Sequence, residues 1–189
     1  MMTAETLRTT FEKGRDYAAY VATGTAAQQA SWGRIHEQVR LTAEQRSLAA
    51  SFTRAMPVLV VSGVWCGDCA QQCPILQRIA EAGPAVDLRF VDRDEQHRFA
   101  EQLRICGGSR VPVAVFMAED FEFAGLAGDR TLARYRALAA RQLGASCPLP
   151  GAPVAQDQIE AETADWMREF ERVHLMLRLS PRLRQKHGD

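Results

Sequence analysis

Val58-Leu59-Val60-Val61-Ser62-Gly63-Val64-Trp65-Cys66-Gly67-Asp68-Cys69 begins as an apolar run and ends in a pair of cysteines two residues apart. Its first four residues, three of them valine, read as a strand buried on both faces, the kind found in parallel sheets. Beyond the cysteines, Ile75, Leu76, Ile79 and Ala80 recur at helical spacing up to Gly83-Pro84. The sequence therefore predicts a strand, a cysteine loop and a helix. Each part of that setting acts on sulfur. Unpaired amides and the dipole at a helix N-terminus stabilise a thiolate, and the two-residue spacing lets the second cysteine resolve a mixed disulfide formed by the first. Cys66 is the expected nucleophile and Cys69 the expected resolving thiol.

Downstream, Asp87 to Val91 reads as a second strand and Glu95 to Ile105 as a helix with Phe99 and Leu103 inward. Val113 to Met117 is a third strand. Ala118-Glu119-Asp120 is a turn, and Phe121 to Phe123 a fourth strand whose short connection requires antiparallel pairing. Thr131 to Leu143 reads as a helix closed by Gly144. Three prolines and a glycine between Ala145 and Ala155 read as a linker. A last helix carries Trp166, Met167, Phe170, Val173 and Leu177 on one face and stops at Ser180-Pro181, followed by a frayed polar tail. Upstream, Leu7 to Met56 is helical in pattern, two or three helices with breaks expected at Gly14, Gly24 and Gly33. Thr42 and Gln45 form a capping box. The organisation predicted is an N-terminal helical extension (1–41), a central domain (42–144), a linker (145–155) and a C-terminal helix and tail (156–189).

Trp65-Cys66-Gly67-Asp68-Cys69, Pro74 and Val111-Pro112 together resemble the thioredoxin family over about Thr42 to Leu143. Within it the chain is similar to a bacterial thioredoxin-like group with Trp-Cys-Gly-Asp-Cys in the active loop and a helical N-terminal extension. The resemblance implies a thioredoxin-like α/β fold: a central mixed sheet of about four strands flanked by helices, here with extra N- and C-terminal helices. It also implies that Cys66 attacks, Cys69 resolves, Trp65 shields the site, Gly67 and Asp68 complete the loop, Pro74 bends the active-site helix and Pro112 is cis. The Val111 backbone would then pair with an extended substrate segment beside the sulfurs.

The chain departs from that family in three ways. Thioredoxins place a buried aspartate six residues before the first cysteine to assist proton transfer to the resolving thiol, and here that position is Val60. Asp68 replaces the proline usual between the cysteines. Its charge is expected to disfavour the Cys66 thiolate and to bias the pair towards the disulfide, making a reducing protein. No strand precedes the first helix, so the N-terminal helices, or the helix around Trp166, are expected to cover the edge at Leu88 to Val91.

The remaining cysteines read individually. Cys73 lies one turn beyond Cys69, either a second resolver or a buried thiol; Cys106 approaches the proline loop or ends a helix; Cys147 has no evident partner. The spacing Cys66-x2-Cys69-x3-Cys73-Pro74 overlaps that of iron–sulfur proteins but lacks the preceding Cys-x-x, so no metal and no cofactor are predicted. The four histidines lack metal-ligand spacing. Arg89, Asp92, Arg93 and Asp94 read as a solvated turn. Arg110, beside Val111, would stand at the substrate groove with Trp65 and Pro112 and favour acidic partners.

Twenty-three basic residues balance twenty-three acidic ones, so neither nucleic acid nor a membrane surface is an expected partner. Residues 1–13 hold no apolar run of the length a secretory signal needs, and five cysteines do not make a secreted disulfide framework. A cytoplasmic thiol–disulfide oxidoreductase is predicted. Its substrate would be a disulfide-bearing protein or a low-molecular-weight thiol, its electrons would come from an external thiol reductant, and its helical extensions offer a homodimer surface. The other reading is a thioredoxin-fold binding module with little redox turnover, which Val60 favours.

Overall fold

The computed structural model describes residues 2–143 and 157–189. Cys147 and the expected linker lie outside them. Four short helices come first: α1 (Ala4–Glu12), α2 (Tyr17–Val21), α3 (Ala26–Gln38) and α4 (Ala43–Ala50). Each begins at a polar side chain, Thr3, Asp16, Thr25 or Thr42, that accepts a hydrogen bond from the first turn, and Thr25 and Thr42 complete capping boxes with Gln28 and Gln45. Two of the expected breaks are real. The third is not: Gly33 lies inside α3, since only about 1 kcal/mol opposes glycine in a helix and packing overrides it.

β1 (Met56–Ser62), buried at every position, leads into α5 (Gly67–Ala82) and then β2 (Val86–Asp92). β2 lies parallel to β1, as a helical crossover demands. Next come α6 (His97–Ala100) with a 3-10 turn at Glu101–Leu103, β3 (Val113–Met117) and β4 (Phe123–Gly128). The helix expected over Glu95 to Ile105 is thus much shorter, because Ile105 and Gly108 exchange hydrogen bonds in a tight loop with Cys106 and Gly107 at positive φ. The fourth strand begins later than expected. Phe121 sits at φ 66° in the turn instead of in a strand, its ring packed edge-on against Phe11 at 5.4 Å.

Among the described residues the sheet runs β2-β1-β3-β4, with β1–β3 and β3–β4 antiparallel. It is a mixed four-stranded sheet flanked by helices with further helices at both ends. The β2 edge is closed by the N-terminal segment: Arg15 and Phe90 exchange both backbone hydrogen bonds, at 2.8 and 2.9 Å. One residue between α1 and α2 therefore stands where an edge partner would otherwise pair.

After α7 (Leu132–Leu143), the long α8 (Gln158–Leu179) lies against the sheet and α5. Phe170 meets Phe116 edge-to-face at 5.1 Å, and Trp166 Nε1 donates to Gln72 Oε1 at 3.3 Å. The tail is a helix, α9 (Pro181–His187), and not frayed. Pro181 starts it, Gly188 in the left-handed region caps it, and Leu183 is buried.

Candidate active site

Cys66 is the N-cap of α5, held by its amide on the Gly63 carbonyl at 2.9 Å. A Cβ on Gly63 would come within 2.7 Å of the Trp65 ring, so a larger residue there would displace the indole that folds back over the end of β1. From behind, Trp32 of α3, fully buried, donates its indole N–H to the Val64 carbonyl at 3.0 Å. Helix α3 thus fixes the loop that carries the cysteines.

The sulfurs occupy different environments. Cys66 is half-buried and its Sγ lies 3.8 Å from the Val111 carbonyl oxygen. Cys69 is fully buried, and its Sγ accepts the Gly63 N–H at 3.5 Å. Both are free thiols. The Cys66 thiol is pushed above the ordinary range, first by its hydrogen bond with Cys69 and then by burial, while the amides of Cys69 and Asp68 pull it down. Burial likewise pushes the Cys69 thiol well up, opposed by its bond with Cys66. The two titrate as a pair that holds its protons tightly.

The direction expected for Cys66 is therefore found, with a different cause. Asp68 does not face the sulfur as a free charge. It accepts from Arg130 Nε at 2.9 Å and from Arg134 Nε and Nη2 at 3.1 and 3.0 Å. Arg130 bonds Asp129 as well, and the buried Asp129 also receives Arg110 at 3.2 Å and the Tyr135 hydroxyl. Burial raises the Asp129 carboxyl, but these hydrogen bonds win and leave it below the usual range.

Arg110 is thus part-committed to Asp129. Its side chain remains 39% exposed, beside the Val111-Pro112 bond, which is cis. Gly128 precedes Asp129 at φ 151°, with the Pro112 carbonyl 2.5 Å from where its Cβ would lie, so no other residue fits under the proline loop. Pro74 lies inside α5, buried, where its ring removes the amide that would bond the Ala70 carbonyl. Gly67 opens the same helix with open space around it.

Cys73 is buried, with its Sγ 3.6 Å from the Ser62 hydroxyl. Cys106 is exposed in its tight loop. Among the described residues no group of three or more histidine, cysteine or acidic side chains is placed to hold a metal ion, and no helix is long and apolar enough to cross a membrane.

Several residues at the site were not singled out from sequence. Arg93, expected as part of a solvated turn, stacks its guanidinium 4.6 Å from the Trp65 ring centroid, and its charge is felt at Cys66. Arg130, just before α7, and Arg134, in its first turn, stand four apart in the sequence. Nothing local tied them to Asp68. Gln72, buried, bridges the Asp129 carbonyl, the Thr131 amide and Trp166.

The profile of the family described as thioredoxin matches residues 14–135. A crystallised Pseudomonas aeruginosa protein of unknown function is similar in structure, with TM-score 0.69 and 22% identity over 91% of this chain and 99% of that one. An HIV epitope-scaffold protein is similar with TM-score 0.60 and 21% identity, over 87% of this chain and 90% of its own. No curated protein matches the sequence.

Proposed function

The chain belongs to the thioredoxin family, and from that membership we propose that it is a thiol–disulfide oxidoreductase that reduces protein disulfides or mixed disulfides with a small thiol. The observation that carries this reading is the placement of Cys66. It is half-exposed at a helix N-terminus, the Val111 carbonyl stands 3.8 Å from its sulfur, and Cys69 is buried behind it. Trp65, Val111, Pro112 and Arg110 would form the substrate surface, with Arg93 fixing the indole. An extended segment could pair with the Val111 backbone and present its sulfur to Cys66.

In the first step the Cys66 thiolate attacks one sulfur of the substrate disulfide. The other sulfur leaves as a thiolate and takes up a proton. In the second, Cys69 gives up its proton and attacks Cys66 Sγ, closing the Cys66–Cys69 disulfide and expelling the second substrate thiol. An external thiol reductant restores the pair. Because the Cys66 thiol is raised, its attack should quicken steadily as pH rises through and beyond the ordinary thiol range. A raised thiol favours the disulfide, so the proposed direction is reduction of substrate, in a cytoplasmic setting. The active-loop group with a helical extension remains our placement within the family.

Reduction of insulin and of a small mixed disulfide, driven by dithiothreitol, tests the reading. Wild type should turn over and Cys66→Ser should lose all activity above background. Cys69→Ser should stall as a trapped mixed disulfide whose partner identifies the substrate. The same raised thiol favours the second reading, a binding module, and a wild type that binds partners without turnover would establish it. The homodimer reading would use the exposed Leu175, Met176 and Leu179 of α8, and sedimentation of a Met176→Glu variant distinguishes it from a monomer.

A further inference from the structure

Val60 leaves the resolving thiol without the buried acid of the family, yet the polar surroundings of Cys69 are not empty. Ser62, two residues on in β1, is fully buried with its hydroxyl 3.6 Å from Cys73 Sγ, and it lies near enough to Cys69 to favour that thiolate. Behind it stands Tyr20 of α2, fully buried between Phe90 and Trp32, with ring centroids at 5.5 and 5.7 Å. The Tyr20 hydroxyl has no hydrogen-bond partner in this dithiol state and lies within electrostatic reach of Ser62, Cys73 and Cys69. A buried hydroxyl without a settled partner is costly, by about 1–3 kcal/mol.

We propose that Ser62, backed by Tyr20, with the Gly63 amide, forms a hydroxyl-and-amide cradle that supports the resolving step by holding charge on the Cys69 thiolate, where the family uses a buried carboxylate to move the proton. This rests on the oxidoreductase reading above. Gly63 N–H already donates to Cys69 Sγ from 3.5 Å in the dithiol; once that sulfur carries charge, Ser62 O–H turns from Cys73 to donate to it and Tyr20 O–H turns to donate to Ser62 Oγ. Each donor polarises the next, so the chain is strongest when negative charge is present on sulfur. The cradle takes no proton itself. In the resolving step the Cys69 proton passes to the substrate thiolate that leaves, while the hydroxyls hold the charge on Cys69 until its bond to Cys66 Sγ forms. Ser62 is the group in contact with reacting sulfur, and Tyr20 is a positioning residue supplied by the N-terminal extension. Cys73 competes for the Ser62 hydroxyl and, among apolar residues, serves as a second soft neighbour.

The test uses the full chain in a Cys106→Ser/Cys147→Ser background with Ser62→Ala, Tyr20→Phe, the double variant, and Ser62→Thr. Dithiobis(nitrobenzoate) loads Cys66 with an aromatic mixed disulfide, and the appearance of the second thionitrobenzoate reports attack by Cys69. Ser62→Ala should slow that second release roughly tenfold, the size of a hydrogen bond to a charged atom, and slow loading of Cys66 less. Tyr20→Phe should give a smaller loss that disappears in the Ser62→Ala background, because Tyr20 acts through Ser62. Ser62→Thr should restore the rate. Independently of turnover, the Cys69 Cβ resonance of cysteine-labelled Cys66→Ser protein should titrate to higher pH in Ser62→Ala. Absence of catalysis in wild type would sink the oxidoreductase reading while this titration still decides the cradle. An unchanged Cys69 titration in Ser62→Ala, or a Tyr20→Phe loss that persists without Ser62, would overturn it.

Discussion

Asp68 shows how the same carboxylate changes meaning with its partners. Alone in a helix first turn beside a cysteine it would repel a thiolate; bridged by Arg130 and Arg134 it cancels part of the positive charge those residues bring to the site. Asp68→Asn keeps the shape and removes the countercharge, so the field at Cys66 becomes more positive and the thiolate easier to form. Alkylation of Cys66 at neutral pH should quicken by roughly two- to fivefold, and the potential of the pair, equilibrated against glutathione, should move to a more oxidising value. The variant should lose about 1–3 kcal/mol of stability in urea, since two part-buried guanidiniums give up charge-assisted hydrogen bonds. Slower alkylation in Asp68→Asn would mean that the arginines follow the carboxylate rather than face the sulfur. In the sequence Asp68 was visible as a departure, but its partners sit more than sixty residues away and only the fold brings them together.

Among the elements, those dictated by local chemistry were legible in the sequence. The four-residue apolar run at 58–61 had to be a central strand, and Thr42 with Gln45 had to open a helix. The short α6 was cut by the local Ile105–Gly108 loop; what else escaped reading depended on distant partners: the late start of β4, the ordered α9, and the role of α8 behind the active helix. Glu162 on α8 belongs to the last of these. It is fully buried with neither carboxyl oxygen in a normal hydrogen bond, near Gln71, Arg134, Asp68 and Asp165, and burial pushes its carboxyl up to about 7 from 4.5. The folded protein then binds the proton more tightly than the unfolded chain. Stability falls as pH rises from the unfolded carboxyl range towards 7 and stays flat above, a loss of about 2–3 kcal/mol. Glu162→Gln carries no such charge, so its advantage over wild type should be small at pH 4 and reach that amount at pH 8. Denaturation curves of both proteins across that range check it, and a constant difference would show that Glu162 finds a partner when ionised.

At the scale of the molecule, the two ends of the chain finish the sheet from opposite directions. The N-terminal segment closes the β2 edge through Arg15 and pins the cysteine loop through Trp32. At the other end, α9 lies against the β3–β4 turn, where Arg182 pairs with Asp120 while Lys186 and His187 pair with Glu119. These exposed pairs contribute little singly, on the order of 0–1 kcal/mol each. The pair that matters is Arg54 with Asp189. The Arg54 side chain is buried just before β1, its Nε has no other partner, and Asp189 supplies the countercharge. A chain ending at residue 180 would leave that guanidinium buried and uncompensated and would uncover Leu183, whose burial adds about 2 kcal/mol. Arg54 is the buried member of the pair, so losing Asp189 strands a charge that water does not solvate well. The truncated chain should therefore unfold at distinctly lower urea concentration, and Arg54→Met in the truncated chain should recover part of the loss by removing the stranded charge. Equal stability of the full and truncated chains would show that solvent reaches Arg54 and that α9 only decorates the surface; a loss that Arg54→Met does not relieve would assign it to Leu183 alone.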